Sequence, residues 1–271
     1  MFPIIKTNLT INGIPVTLLH YDDMVVGWQM RNSTHQWSNV LEYLKQTIKP
    51  GSRVIDAGGN IGNTSIFLAK IQPDAIIYCF EPDPQNFALL NMNIELNQVP
   101  NVLTFNYALG KTERHIPFYM NKVNFGDHRS ASPYKQDTDA HLFSTLPDPV
   151  MNVNPVSFLK KSLGKHAPQS IDILRTDTQG ADFEIIEACL PLLKKDSTIL
   201  AQFSPYHLHR HGTTIKDIES IVKKFSDVAL FSATQHSIKT NVYSFQQLST
   251  RFETLHKNFI GFYHIALSNN H

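Results

Sequence analysis

Val54-Ile55-Asp56-Ala57-Gly58-Gly59-Asn60-Ile61-Gly62 decides how the rest of the chain is read. An apolar run ends in an acid, a glycine-rich turn follows, and Asn63-Thr64-Ser65-Ile66-Phe67-Leu68-Ala69-Lys70 reads as a helix. Strand, turn and helix in this order let a nucleotide-like ligand approach the backbone. Gly58 and Gly62 supply positive φ and remove side chains where such a ligand sits.

The next element settles which kind of ligand. Ala75-Ile76-Ile77-Tyr78-Cys79-Phe80-Glu81-Pro82-Asp83-Pro84 reads as a buried strand ending in a carboxylate, stopped by prolines that permit a helix start. Glu81, at the tip of a second parallel strand beside the glycine turn, is placed to accept hydrogen bonds from both hydroxyls of a ribose. A dinucleotide would call for G-x-G-x-x-G, so that a pyrophosphate rests on the helix N-terminus. Gly58, Gly59 and Gly62 lack that spacing. Asp56, two residues before the first glycine, would oppose a pyrophosphate and suits an ammonium or a sulfonium. S-adenosylmethionine carries both cations and no phosphate, so a methyl donor is expected rather than NAD.

These residues resemble the FkbM-type S-adenosylmethionine-dependent methyltransferases, with a likeness running from about Pro50 to Gly212. Val54–Gly62 is similar to the family's V-I-D-x-G-A-N-x-G, with Gly59 where alanine is usual. Cys79–Asn97, Gly126-Asp127-His128-Arg129 and Ile171–Ala181 (I-D-I-L-R-T-D-T-Q-G-A) carry the rest. The resemblance implies a Rossmann-like α/β sheet, mostly parallel, of about seven strands with helices on both faces. It implies a donor site at Asp56, Gly58, Asn60, Gly62 and Glu81, and adenine near Asn106, Tyr107 and Ala108, with Asn86 assisting from the helix after Glu81. Two departures touch the acceptor side. Gln202-Phe203-Ser204-Pro205 stands where the family often has E-F-x-P, and Gln179 and Asp182 stand where glutamates are common.

The pattern along the chain agrees. Residues 7–20 read as a hairpin turning at Asn12-Gly13, and 38–48 as an amphipathic helix. Strands are expected at 53–57, 75–81, 102–107, 171–176, 198–203, 227–232 and 261–268, with helices at 62–71, 84–97 and 181–194. The order βαβαβ implies right-handed crossovers. Residues 1–50 are an N-terminal extension and 51–271 one Rossmann-like domain. Residues 113–154, with a strand near Arg114–Met120, interrupt the rhythm as an acceptor-site insertion.

Ligands of open α/β sheets bind beyond the carboxyl ends of the strands, which puts Asp177 beside the donor. A hydroxyl acceptor needs its proton removed, so Asp177, and His128 with Asp127 to orient it, are the catalytic candidates. Arg175 lies on the same strand face as Asp177 and is placed to pair with it. His207 and His211 share a helix face, but no carboxylate accompanies them in sequence and no metal is expected.

Across 271 residues the net charge is only +1, which gives no bulk attraction to nucleic acid or to an acidic membrane. Thirteen histidines are expected to add positive charge in mild acid. The two cysteines, Cys79 and Cys189, read as buried apolar groups in a reducing compartment. With no signal-like segment and no run long enough to span a bilayer, a cytoplasmic protein is expected, and the N-x-S/T triplets at Asn8, Asn32 and Asn63 are accidental. The expected activity is O-methylation of a hydroxyl on a small molecule or glycan. The alternatives are a catalytically lapsed S-adenosylmethionine-binding protein, motivated by Gln202, and an NAD-dependent oxidoreductase.

Overall fold

A computed structural model of the chain describes residues 2–32, 38–132, 139–232, 241–242, 244–255 and 262–269. Strands β1 (Ile4–Ile11) and β2 (Ile14–Tyr21) form an antiparallel hairpin whose turn carries Asn12 and Gly13, both at positive φ. Helices α1 (Val26–Arg31) and α2 (Ser38–Thr47) follow. The alternating units are then β3 (Arg53–Ala57), α3 (Asn63–Ile71), β4 (Ile76–Phe80), α4 (Pro84–Asn97) and β5 (Val102–Phe105). Next come β6 (Ala108–Leu109), β7 (Arg114–Phe118), β8 (Asp148–Val153) and α5 (Pro155–Leu163). The chain closes with β9 (Ile171–Thr176), α6 (Asp182–Cys189), β10 (Leu193–Phe203), α7 (Pro205–His211), α8 (Ile215–Val222), β11 (Asp227–Ser232), β12 (Asn241–Val242), α9 (Phe245–Leu255) and β13 (Tyr263–Ser268).

The main sheet has the order β12-β11-β13-β10-β9-β3-β4-β5. From β10 to β5 every pairing is parallel, while β13 runs against both β10 and β11. The sheet is thus mostly parallel, and its eighth strand is the two-residue β12. Period-two alternation splits its residues between two cores. Val54, Ile77 and Ile173 face one side with the hairpin, α2, α3 and α4. Ile55, Tyr78 and Leu174 face the other with α5, α6, α8 and α9.

Local chemistry fixes the helix starts around the site. Asp83 caps α4 by accepting from the Asn86 N–H at 2.6 Å, with Pro84 at the first helical position. Asn154 caps α5 in the same way, followed by Pro155. Gly62, at φ +95°, turns the chain into α3.

The stretch 113–154 is more ordered than its composition suggests. β6, β7 and β8 form a small sheet of their own, and bridges at Tyr119–Arg129 and Asn121–Phe143 extend it. The sequence reading did not include α1, α5, α8 or α9, none of which exceeds 11 residues. The helix expected to run to residue 194 ends at Cys189, where Pro191 and a 3-10 turn lead straight into a long β10.

Candidate active site

A cavity of about 680 Å³ opens beyond the carboxyl ends of β3, β4, β5, β9 and β10. Its donor side is lined by Ala57, Gly58, Asn60, Glu81, Asn86, Tyr107 and Ala108. Gly62 only shapes the turn. At Gly58 (φ +81°) a Cβ would overlap the Asp177 carbonyl oxygen, so glycine is required by both conformation and space.

Glu81 is 5 % exposed and accepts from the Asn60 N–H at 2.8 Å and the Asp83 N–H at 2.9 Å. Burial pushes its carboxyl up to about 8, against the pull of those two N–H groups. Each oxygen keeps a lone pair for a ribose hydroxyl. Asn86 lines the cavity with a buried Oδ1 that has no partner among the described residues. Such an atom is costly unless a ligand donor meets it. Together with the glycine turn, these groups fit an adenosyl ligand.

The loop Asn121–Arg129 lies against this donor side. The Phe125 carbonyl accepts from Asn60 Nδ2 at 3.0 Å and from Asn86 Nδ2 at 2.9 Å. Its N–H donates to Asp23 Oδ2 at 2.7 Å, and Asp23 Oδ1 accepts from the Gly27 N–H at 2.6 Å. The hairpin's exit, the insertion and the glycine turn are therefore held as one unit. No spacing rule pointed to Asp23 or Phe125, because Asp23 holds backbone N–H groups and the partners of Phe125 lie far off in sequence.

Asp56 is not among the residues lining the cavity. Its carboxylate is fully buried, accepts from Ser65 Oγ at 2.6 Å and pairs with Arg175 Nη1 at 2.9 Å. The expectation that it faces a cation is corrected, because the cation it faces is Arg175. Arg175 also donates to the Gly58 carbonyl at 2.9 Å and to Asp177 Oδ2 at 2.6 Å. Burial alone would lower the guanidinium's pKa, but Asp56 and Asp177 outweigh it and raise it. One cation between two carboxylates leaves a net charge of −1, and the carboxylate that reaches the cavity is Asp177, whose side chain is 21 % exposed. The attraction for a sulfonium or ammonium lies there.

Around Asp177, the strand-end turn is held by Asp182, which is fully buried and accepts from the Thr178 and Gly180 N–H groups. Burial takes its carboxyl up to about 6, with the Asp177 charge adding to the rise. Gln179, at φ +55°, donates to Asp177 Oδ1 and to the Gly126 carbonyl, each at 3.3 Å, and accepts from Gln202 Nε2 at 3.3 Å. The two glutamines that depart from the family pattern are thus partners of each other. An apolar wall of Val25, Val26, Ile116, Phe118 and Phe125 also lines the cavity.

Asp127 and His128 sit differently from their expected roles. Asp127 forms a two-pronged pair with Arg129, at 2.8 Å to both Nε and Nη2, and Arg129 also reaches Asp139 at 2.8 Å. Burial would lower the Arg129 pKa, but Asp127 and Asp139 raise it, and the guanidinium stacks 4.3 Å above the Phe143 ring. This is a structural latch, since both oxygens of Asp127 are occupied. His128 lines the cavity, but its Nδ1 accepts from the Asn121 N–H at 2.9 Å, which leaves Nε2 as the protonated nitrogen. Its lone pair is in use, so it is set up as a donor and not as a base. Burial holds it down to about 4. His207 is likewise pushed well down by burial, and His264 to about 4, so these three histidines gain no charge in mild acid.

His264 is the cavity residue that strand reading overlooked. That reading looked only at carboxyl ends, whereas β13 is antiparallel and brings its amino end to the same rim. His207 and His211 approach Asp127 and Glu184 at 3.7 and 3.9 Å. Among the described residues no group of three or more His, Cys, Asp or Glu side chains is arranged to hold a metal ion. Cys79 and Cys189 are buried and free. No helix among the described residues is long and apolar enough to cross a membrane.

Residues 56–233 match the methyltransferase FkbM domain. The chain belongs to the FkbM methyltransferase family. Its cofactor is accordingly S-adenosylmethionine. It is 26 % identical over 143 residues to "Methyltransferase 1" of Beauveria bassiana, covering 50 % of this chain and 57 % of that protein. The chain thus spans little more than half the length of that relative. It is 24 % identical over 199 residues to "2-O-methyltransferase NoeI" of Sinorhizobium fredii, covering 68 % of this chain and 76 % of the relative. Among solved structures it is similar to an rRNA methylase from Streptococcus thermophilus, at 11 % identity and a TM-score of 0.47, covering 88 % of this chain and 98 % of that one.

Proposed function

We propose that this FkbM-family protein is an O-methyltransferase acting on a hydroxyl of a small molecule or sugar. The observation that carries the reading is the position of Asp177, a carboxylate held by Arg175 at the cavity wall, one strand from the glycine turn. S-adenosylmethionine supplies an activated methyl group on a sulfonium. The chain's part is to hold an acceptor hydroxyl beside it, which is where much of the acceleration of an in-line displacement arises.

Asp177 Oδ1 and the Gln179–Gln202 pair offer acceptors and donors for hydroxyls, while Val26, Phe118 and Phe125 offer an apolar face for a ring. A neutral polyol with one apolar face matches that mixture. The similarity to a protein named 2-O-methyltransferase supports oxygen as the methyl acceptor. A volume near 680 Å³ has room for an acceptor beside the donor.

The test is calorimetry with S-adenosylmethionine, followed by transfer of its labelled methyl group to methyl glycosides, catechols and amines. Donor binding with label on hydroxyl oxygen is expected. Label found only on nitrogen or carbon acceptors would sink the O-methyl reading.

A further inference from the structure

We propose that His264 takes the proton of the acceptor hydroxyl, with Asp177 orienting that hydroxyl beside it. The proposal rests on the O-methyl reading above and adds the proton acceptor that this reading lacks.

The geometry narrows the choice. β13 runs antiparallel to β10, and His264 stands directly opposite Gln202 in their register. His264, Gln202, Gln179 and Asp177 all line the cavity, so four polar side chains from three strand ends meet at one rim. Only 9 % of His264 is exposed, and its buried Nδ1 has no partner among the described residues. A histidine whose tautomer is fixed by the protein has one nitrogen committed, as His128 has. His264 is not fixed in this way, so a bound ligand can set its protonation.

The other candidates are committed elsewhere. Asp177 gives Oδ2 to Arg175, and protonating it would weaken that pair. Asp127 is bound by Arg129 through both oxygens. The charged groups facing His264 are Asp177, which favours an imidazolium, and Arg175, which opposes it. Burial keeps the free imidazole neutral at neutral pH, as an acceptor must be.

The step balances in atoms and charge. The acceptor O–H bond breaks and its proton passes to the imidazole. The oxygen's electron pair forms the new O–C bond as the C–S bond breaks, and sulfur keeps that bonding pair and becomes a neutral thioether. Positive charge leaves sulfur and appears on His264, so the site's net charge is unchanged in surroundings where a new unpaired charge would be costly. The imidazolium then returns its proton to solvent.

Two measurements test this. The first compares wild type with His264→Gln for methyl transfer to methyl glycosides. A fall of about 10²–10⁴-fold in turnover is expected, with S-adenosylmethionine affinity within about threefold by calorimetry. Turnover within about threefold of wild type overturns the proposal. The second is ¹⁵N NMR of the histidine rings in the wild-type complex with S-adenosylhomocysteine, which requires neither a variant nor turnover. Saturating methyl glycoside is expected to move the His264 ring nitrogens, and an unmoved signal overturns the proposal even if His264→Gln fails to fold. Transfer by wild type to amines and to no hydroxyl overturns the O-methyl reading itself, an outcome distinct from an active His264→Gln.

Discussion

Arg175 stands directly opposite Asp56 on the adjacent parallel strand, and its Nη1 donates to Asp56 Oδ1 at 2.9 Å. The pair lies on one face of the sheet under the glycine turn, and the same guanidinium reaches the Gly58 carbonyl and Asp177. The acid that ends the first strand thus shapes the donor site at second hand, by holding the cation that holds both the turn and the cavity carboxylate.

Replacing Arg175 by methionine leaves the fully buried Asp56 carboxyl with Ser65 as its remaining side-chain partner among the described residues. Breaking a buried pair from one side costs about 3–5 kcal/mol. Urea denaturation of Arg175→Met is expected to show a loss of that size, and adding Asp56→Asn is expected to recover part of it. A double variant no more stable than the single one would show that the pair is not what the arginine supports.

Much of this was legible in the sequence because it is local. The D-x-G-G-N-x-G turn, the Glu81 strand tip and the order of strands follow from period-two runs punctuated by glycine and proline. The roles of Asp56 and His128 were not legible, because one is decided by a partner distant in sequence and the other by a backbone group, whereas Asp127 pairs with Arg129 only two residues on. Asp56 is neutralised by Arg175, 119 residues away. His128 is occupied by the Asn121 N–H. His264 was missed because a strand's direction is not written in its composition, and only an antiparallel β13 brings that residue to the site.

Glu81 links donor binding to pH. Its carboxyl is pushed up to about 8 in the free protein, while ribose hydroxyls donate to the ionised form. Binding at pH 7 is therefore expected to release protons, seen as a dependence of the calorimetric heat on buffer ionisation enthalpy. Affinity is expected to rise with pH until about 8 and then level off. For stability the sign is opposite. A folded pKa above the unfolded value near 4.5 means that the stabilising contribution is complete below that value and is lost as pH rises through about 8. Glu81→Gln is expected to be more stable than wild type at pH 8 and to bind the donor more weakly. Equal stabilities at pH 5 and pH 8, relative to wild type, would contradict this.

The Asp127–Arg129–Asp139 latch makes a different demand. Tyr206 Oη donates to Asp139 Oδ1 at 2.9 Å, so the latch ties the insertion to α7. Asp127→Ala removes one of two carboxylates from a guanidinium whose side chain is 2 % exposed. A loss of about 3 kcal/mol is expected, which lowers the melting temperature by roughly 6–12 °C. Well below that temperature, turnover in Asp127→Asn is expected to stay within about tenfold of wild type, since Asp127 lines the cavity but both its oxygens accept from Arg129. A hundredfold fall in turnover with an unchanged melting temperature would return Asp127 to the chemistry.

Gly59, in the glycine turn after β3, and Cys79, on β4, form a matched pair. Gly59 is buried without positive φ, so alanine suits its backbone, but a Cβ there would overlap Cys79 Sγ. The other neighbours of that Cβ, the Phe80 carbonyl oxygen at 3.7 Å and Leu90 Cδ2 at 3.9 Å, are ordinary contacts. The thiol therefore fills the space that alanine, the usual residue of the family at this position, would take. Gly59→Ala alone is expected to cost about 1–3 kcal/mol by overpacking. Cys79→Ala in that background removes the overlapping sulfur and is expected to restore most of the loss. The restored turn also gains about 0.4–1 kcal/mol from the smaller entropy of an unfolded chain with one glycine fewer. Denaturant curves for wild type, both single variants and the double variant close the cycle. A coupling above about 1 kcal/mol is expected for residues in direct contact, and additive single-variant effects would mean that some group other than Cys79 keeps alanine out of the turn.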